Sequence, residues 1–138
     1  MKTFLAVVAA TFLLGSSASG DDSDAIAKAQ VAARSWLTLT DDAKYGQSWD
    51  EAAALFRNAV AKADWEKALK GVRSPLGAVK TRKVRSSTFT RTLPGAPDGE
   101  YVVIVFDSQF ENKAAAVETV TPTHDKDGTW RVSGYFIK

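Results

Sequence analysis

The stretch Tyr101-Val-Val-Ile-Val-Phe106 decides the fold class of this sequence. It consists of aromatic and β-branched residues, which favour strands because their side chains fit a pleated, half-buried surface. The stretch Trp130–Ile137 alternates large apolar side chains with other types, which is the period of a strand with one buried face. Residues 114–123 are predicted to form a third strand, but the sequence signal is weaker because their alanines also suit a helix. The C-terminal half is therefore predicted to form a β-sheet.

Two loops rich in glycine and proline separate these strands. The segment Leu93-Pro-Gly-Ala-Pro-Asp-Gly99 contains the turn signals Pro-Gly and Pro-Asp-Gly, and Asp125-Lys-Asp-Gly128 ends in Asp-Gly. Asp-Gly favours tight hairpins because it tolerates the positive φ angles that such turns require. Both segments are predicted to be hairpin ends. The change from helical to strand periodicity begins at Ala78, which gives about four antiparallel strands.

Helical periodicity dominates the part of the chain that precedes Ala78. In residues 25–39, apolar side chains recur along one helical face: Ile26, Ala29, Ala33, Trp36 and Leu37. Ser48 and Glu51 fit a capping box, which predicts that a second helix begins at Ser48. Its apolar stripe comprises Ala52, Leu55, Phe56, Ala59 and Val60. Asp64 is predicted to cap a shorter third helix that ends at Gly71.

This order of elements predicts an α+β fold, with N-terminal helices packed on a roughly four-stranded, curved antiparallel sheet. The order resembles the cystatin-like and nuclear-transport-factor-like (NTF2-like) cone folds. Such folds serve enzymes, ligand carriers and interaction modules alike, so the resemblance selects no function. No internal repeat or long linker divides residues 19–138, which are predicted to form a single domain.

The first residues have the pattern of a secretory signal peptide. A basic Lys2 precedes the apolar run 3–15, and small residues follow it. The run is shorter than the roughly 20 residues that a membrane-spanning helix needs. We predict that residues 1–18 are removed, with cleavage after Gly20 as the alternative. Because the sequence has no cysteine to carry a lipid, the protein is expected to be periplasmic or secreted, without a transmembrane segment.

The composition excludes several classes of protein. The chain has 138 residues, no cysteine, one histidine and a formal net charge of +2. These numbers exclude a disulfide-stapled miniprotein, a thiol enzyme and a zinc ribbon. His124 stands at a hairpin end without the frame of a catalytic triad, so we interpret it as an exposed turn residue. Asp125-Lys-Asp-Gly128 lacks the spacing of a calcium loop. We predict no metal site and no cofactor.

Basic residues are concentrated in one stretch of the sequence. From Lys67 through Pro97 there are eight basic residues and no acidic one. Within it, the candidate patch for an anionic partner comprises Lys80, Arg82, Lys83, Arg85 and Arg91. In a strand, Lys83, Arg85 and Arg91 would share one face and Lys80 and Arg82 the other, so the two faces cannot both belong to the core and an edge strand is indicated.

Two interpretations of this patch stay open. The first is protection of a sheet edge against pairing with other chains. The second is attraction of a lipid headgroup, a cell-wall component or an acidic envelope protein. Nucleic acid is not expected as a partner, because the patch lacks interleaved aromatic residues for base stacking.

A candidate ligand site combines aromatic and basic residues. Tyr45 and Trp49 lie between two predicted helices, where a cone fold opens its pocket. With Arg73 or Arg82 they would line a cleft for a small anionic or amphipathic ligand, and packing at a helix junction is the alternative. An acid-base enzyme would need a desolvated carboxylate, for which Asp42, Glu100 and Glu118 are candidates. No residue is assigned as catalytic.

The order of several motifs is similar to that of an exported bacterial family. The motifs are Trp36-Leu37, Ser48-Trp49, Phe56, Trp65, Arg73-Ser-Pro-Leu-Gly77, Leu93-Pro-Gly-Ala-Pro-Asp-Gly-Glu-Tyr101, Glu118-Thr-Val120 and Asp127-Gly-Thr-Trp-Arg-Val-Ser-Gly-Tyr135. They resemble those of the family named domain of unknown function four thousand and nineteen, over nearly all of the predicted mature chain. The resemblance implies a periplasmic or secreted single domain and supplies no catalytic residue. Some members resemble lipoproteins, which this chain, lacking a cysteine, does not.

The sequence thus predicts a non-catalytic exported module that binds an envelope component. The alternative is a carrier of a small ligand in a cone pocket, and an acid-base enzyme is a third hypothesis. A homodimer is compatible with the first hypothesis, because two copies of an interaction module could associate through the same exposed face of each copy.

Overall fold

The computed structural model describes residues 20–138, so the predicted signal peptide lies outside the described residues. Four helices come first: α1 Gly20–Asp41, α2 Tyr45–Asp50, α3 Ala54–Ala59 and α4 Lys62–Arg73, followed by a 3₁₀ turn at Ser74–Leu76. Four strands follow: β1 Val79–Thr90, β2 Tyr101–Phe110, β3 Lys113–His124 and β4 Trp130–Ile137. The predicted order of helices and then strands is confirmed.

The strands form one open antiparallel sheet in the order β1-β2-β3-β4. Each strand pairs with the next in sequence, as expected for strands joined by short loops. The loops at 91–100 and 125–129 coincide with the two predicted hairpin ends. β1 and β4 are the edges of the sheet, so the patch residues Lys80, Arg82, Lys83 and Arg85 lie on an edge strand, as predicted, while Arg91 follows it.

The core lies between one face of the sheet, here called the inner face, and α1. On α1, Ala29, Ala33, Trp36 and Leu37 are buried, as the helical spacing predicted. They pack against the inner-face residues Val102, Ile104 and Phe106 of the central strand β2. Each large apolar side chain buried in this way contributes roughly 1.5–3 kcal/mol relative to an exposed one.

The prediction that the second helix begins at Ser48 is wrong. Ser48 lies inside the short helix α2, and its hydroxyl donates to the carbonyl oxygen of Tyr45 at 2.6 Å. Two tryptophans hold it there: Trp36 donates its indole N–H to the Ser48 carbonyl at 2.8 Å, and Trp65 donates to the Ser48 hydroxyl at 3.0 Å. Ser48 is therefore a buried anchor between α1, α2 and α4 and not a helix cap.

The third predicted helix is present with different ends. It begins at Lys62 and continues through Gly71 to Arg73, where the 3₁₀ turn with Pro75 follows. Gly71 does not end the helix, because its φ is not positive and it therefore does not adopt the left-handed conformation of a glycine cap. The two extra residues matter, since they bring Arg73 to the inner face of the sheet.

None of the helices described within residues 20–138 is both long and apolar enough to cross a bilayer.

Candidate functional site

Four charged side chains meet between α1, α4 and the inner face of the sheet, and we call them the buried ion network: Asp41, Arg73, Arg82 and Glu118. Asp41 and Arg73 are the last residues of α1 and α4. Arg82 and Glu118 come from β1 and β3, on either side of β2. Both strands direct these residues inward, because Arg82 pairs in register with buried Ser108 and Glu118 with buried Phe106.

Glu118 is the most enclosed member, with a relative exposure of 0%. One carboxylate oxygen accepts hydrogen bonds from Arg82 Nε at 2.7 Å and from the Ser108 hydroxyl at 2.6 Å. The other accepts from an Arg82 terminal nitrogen at 3.1 Å and from the Tyr135 hydroxyl at 2.5 Å. Four hydrogen bonds therefore stabilise the negative charge of the Glu118 carboxylate. Glu118, one of the three candidate carboxylates, lies on the inner strand β3 and is paired with Arg82 of β1.

Asp41 joins the two arginines. Its carboxylate accepts from Arg73 at 2.8 Å and from two nitrogens of Arg82 at 2.8 and 2.9 Å. Burial alone would disfavour the charged carboxylate, but the hydrogen bonds from Arg82 and Arg73 outweigh it and hold the pKa of Asp41 below its usual value. Burial also opposes the charge on Arg82, whose pKa is nevertheless raised by Asp41 and Glu118.

Arg73 and Tyr135 make the remaining contacts of the network. Arg73 donates to the Thr40 hydroxyl at 2.8 Å, and its guanidinium carbon lies 4.8 Å from the centre of the Phe110 ring. The Arg73 Nε is buried and has no hydrogen-bond partner among residues 20–138. Burial, followed by the nearby charge of Glu118, raises the pKa of the Tyr135 hydroxyl, so Tyr135 is a hydrogen-bond donor throughout the ordinary pH range.

The arrangement is suited to holding the fold together. Two guanidinium groups face two carboxylates, so the formal charges cancel. Glu118 is committed to its four donors, and Asp41 is bound on both oxygens, so neither carboxylate is placed to accept a proton from a substrate. Removing one member would leave a buried charge without a partner. We interpret the network as a brace that fastens α1 and α4 to the sheet.

The structure divides the predicted ligand site. Arg73 and Arg82 come together through Asp41. Tyr45 and Trp49 lie on α2, and Trp49 contacts the start of α4 and the residues just before it. Its indole N–H donates to the Val60 carbonyl at 2.7 Å, and the ammonium group of Lys62 lies 6.0 Å from its ring centre. Both arginines of the predicted site are thus neutralised by carboxylates of the protein itself.

The predicted basic patch is divided as well. Arg82 points inward into the network, whereas Lys80, Lys83, Arg85 and Arg91 are exposed. Arg85 is paired with Asp107 on the neighbouring strand and lies at the register shift between Val84 and Ser86. Arg91 follows β1 and lies 3.9 Å from Glu100. Within residues 20–138, Lys80 and Lys83 are the two members of the patch that have no carboxylate partner.

His124 is held in place at the other end of the sheet. Its Nδ1 lies 2.7 Å from a Glu100 carboxylate oxygen and its Nε2 lies 3.0 Å from the Gly128 carbonyl oxygen. The ring stacks on Trp130 with a centroid distance of 5.0 Å. His124 is thus partly exposed at the predicted hairpin, but it links the start of β2 to the β3–β4 loop. It borders a polar cleft of about 780 Å³ lined by charged residues of both signs, among them Arg57, Asp98 and Arg131.

Asp41, Ser108 and Tyr135 are the members of the site that the sequence analysis missed. Asp41 continues the buried α1 series of Ala33 and Leu37 at a spacing of four, which is a signal that could have been used. Ser108 and Tyr135 carry no comparable signal, because hydroxyl groups alternate with apolar residues in many strands. In the part of the chain that the structure describes, no three histidine, cysteine or acidic side chains are grouped to hold a metal ion.

Comparison with known proteins gives one match. The family model described as "Protein of unknown function (DUF4019)" matches residues 32–135. No curated protein and no solved structure matches the chain. The matched range contains the whole buried ion network, all of β1, and β4 as far as Tyr135.

Proposed function

The chain belongs to the DUF4019 family of proteins of unknown function, and we propose that it is an exported, non-catalytic module that binds another component of the cell envelope through its surface. One observation carries this proposal: the space between the helices and the sheet is occupied by the self-neutralised ion network and by the aromatic side chains around it. A carrier would need convergent polar groups that are free for a ligand.

The aromatic contacts support the same interpretation. The Trp36 ring lies 5.3 Å from Tyr135 and 6.2 Å from Trp65, while Phe56 lies 4.8 Å from Trp65. These rings fill the region beside the network, where a cone-shaped fold would open. An enzyme would need a base that can change its protonation state during turnover, whereas Asp41 and Glu118 are bound by arginines.

Mass spectrometry of the exported protein tests the proposal. The full-length chain is produced with its own leader and recovered from outside the cytoplasm, and denaturing and native spectra are then compared. If the protein is an interaction module, the recovered chain should lack the predicted signal peptide. Its mass per subunit should be the same in the native and the denaturing spectrum. A small-molecule mass that is released on denaturation would contradict the interaction module in favour of a carrier. An unshortened chain retained in the cytoplasm would contradict export.

A further inference from the structure

The two edge strands of the sheet are protected to different degrees. β1 carries the exposed cations Lys80, Lys83 and Arg85, and two register shifts interrupt its pairing with β2. Charged side chains and bulges are devices that prevent an edge strand from pairing with another chain. β1 is therefore a guarded edge, in agreement with one of the two interpretations that the basic patch left open.

The end of β4 has neither device. Tyr135-Phe-Ile137 carries no charge and no proline, and the register shift of the β3–β4 pairing lies before it. Lys138 and Val117 exchange both of their backbone hydrogen bonds, at 2.9 and 3.0 Å. Because bonded and non-bonded pairs alternate in antiparallel strands, Phe136 is bonded to β3, whereas the N–H and C=O groups of Tyr135 and Ile137 point away from it. Within residues 20–138 no further strand lies on that side.

The first part of β4 is covered, which confines the open edge to its end. Ala53, in the link between α2 and α3, donates its backbone N–H to the Val132 carbonyl at 2.8 Å. Pairing with another strand is therefore possible only beyond Val132. The outward backbone groups there are those of Tyr135 and Ile137, placed symmetrically before and after Phe136.

Exposed apolar side chains flank this edge on both faces of the sheet. Of the residues that the structure describes, three large apolar side chains are exposed: Val31 at 70%, Phe136 at 54% and Val72 at 44%. Phe136 pairs in register with Thr119, whose neighbours in β3 point to the inner face, so the Phe136 side chain stands on the opposite, outer face. Val72 belongs to α4, which lies on the inner side, because Trp65 of the same helix packs against the core.

On the inner side, Val72 lies close to the open edge. It lines an apolar groove of about 190 Å³ together with Ala68 of α4 and with Tyr135 and Ile137 of β4. Two of the three exposed apolar side chains named above are therefore next to the outward backbone groups of β4, one on each side of the sheet. Val31 lies on α1, away from this edge.

The open segment is complementary to a second copy of itself. When two such segments meet antiparallel with Phe136 opposite Phe136, Tyr135 of each copy faces Ile137 of the other. These residues carry the outward N–H and C=O groups, so each facing pair exchanges two hydrogen bonds and four form in all. The two Phe136 residues then form the non-bonded pair between them, in which side chains approach most closely. Their exposed rings cover each other on the outer face.

The charges favour this pairing over pairing through β1. The two Lys138 side chains would stand four residues apart along the strands, about 13 Å, which is longer than the Debye length of about 8 Å at physiological salt. Pairing through β1 would instead place Lys80 and Lys83 in the contact, where neither has a carboxylate partner among residues 20–138. Association through β4 alone leaves both β1 edges guarded, so it closes at two copies and does not continue into a filament.

From the open edge, the exposed Phe136 and Val72 and the self-complementary register, we propose that two copies of this chain pair through β4 into a two-fold dimer with one eight-stranded sheet. The α4 helices of both copies lie on the same face of that sheet, and Val72 and Ile137 of each copy flank the junction. Because the paired segment is short, the dimer is weak, with a Kd below about 1 mM but above about 1 μM. This inference goes beyond the proposed function, which concerns a different partner.

Sedimentation equilibrium of the exported protein tests for the dimer. Measured from about 10 μM to about 1 mM, the mass should rise reversibly from that of one chain toward that of two. Amide hydrogen exchange over the same range locates the contact. Protection of Tyr135 and Ile137 should increase with protein concentration, whereas protection of Phe136, which is bonded to β3 in each copy, should stay constant.

A charge exchange at Phe136 tests the register and the identity of the occupant. Since residue 136 faces its own equivalent, Phe136→Lys and Phe136→Glu each place like charges opposite each other, and each should weaken self-association by about tenfold or more. Mixed in equal amounts, the two variants should form a heterodimer, because opposite charges then face each other. Val31→Lys and Val31→Glu make the same changes on α1 and should leave the Kd unchanged, separately and mixed. All four replace an exposed side chain, so thermal transitions can verify folding.

Several outcomes would overturn the proposal: a single chain at every concentration up to about 1 mM, an equal loss of association in the Val31 variants, or mixed Phe136 variants that associate no better than either alone. Protection of Tyr135 and Ile137 in a monomeric sample would show that something other than a second copy covers the edge, and would also overturn it. Each of these leaves the interaction module standing. Only a small molecule retained in the native spectrum, or failure of export, contradicts the proposed function itself.

Discussion

Replacing Arg82 with methionine should produce the largest loss of stability among the substitutions considered for this protein. Arg82 makes two hydrogen bonds to Asp41 and two to Glu118. Its removal leaves Glu118, at 0% exposure, with the neutral donors Ser108 and Tyr135. Breaking a buried ion pair by deleting one partner costs about 3–5 kcal/mol. For a domain of this size, that corresponds to a fall in Tm of roughly 10–20 °C.

The assay is thermal and urea denaturation followed by circular dichroism. Lys83→Met is the matched control, because it removes a neighbouring exposed cation of β1 and should change stability by less than about 0.5 kcal/mol. Adding Glu118→Gln to Arg82→Met removes the uncompensated charge, and the amide keeps an oxygen for one of the hydroxyls of Ser108 and Tyr135 and offers its N–H₂ to the other, which can accept. The double variant should regain about 2 kcal/mol of the loss.

The reasoning would be refuted by either of two results. A loss below about 1 kcal/mol in Arg82→Met would mean that the network does not brace the fold. A double variant that is no more stable than Arg82→Met would mean that the unpaired carboxylate is not the source of the loss. The first result would leave Arg82 free to serve a ligand and would support the carrier hypothesis, whereas the second would place the source of the loss in contacts of Arg82 other than its pairing with Glu118.

Three further predictions follow from the same contacts. Tyr135→Phe should lower the free energy of unfolding by about 1.5–3 kcal/mol, because it removes the hydroxyl that donates to Glu118; an unchanged urea midpoint would contradict this. Because the folded state lowers the pKa of Asp41, its contribution is present above about pH 4 and is lost as pH falls through the lowered pKa; Asp41→Asn should flatten the acid limb of a stability–pH profile, and an unchanged limb would exclude Asp41 as its source. Replacing Lys80 and Lys83 with valine should increase aggregation, measured by light scattering at equal thermal stability, and an unchanged signal would argue against edge protection.

Local sequence signals were sufficient for the sheet. The strands at 101–110 and 130–137 follow from residue types that favour strands whatever surrounds them, and the two glycine-containing loops mark where the chain reverses. The predicted start of the second helix was wrong because contacts that are distant in the sequence determine the position of Ser48. Ser48 looks like a cap in its local sequence, but Trp36 and Trp65 bind it from 12 and 17 residues away.

The site could be predicted only as separate residues. Arg73, Arg82 and Glu118 were each singled out from the sequence, but Arg82 meets Glu118 across 36 positions and Asp41 across 41. Which carboxylate neutralises which arginine depends on strand register and on the end of α4. The register shift between Val84 and Ser86 is likewise a feature that a two-residue alternation cannot predict.

The claim that β4 presents an open edge is tested most directly by residue-resolved amide hydrogen exchange of the unmodified protein in dilute solution, where it is a monomer. The account predicts an alternation within one strand: the Phe136 amide, which faces β3, should exchange slowly, while the Tyr135 and Ile137 amides should exchange at rates close to those of unprotected peptides. Protection of Tyr135 and Ile137 equal to that of Phe136 in the monomer would show that the edge is already covered, and the dimer contact proposed here would be wrong.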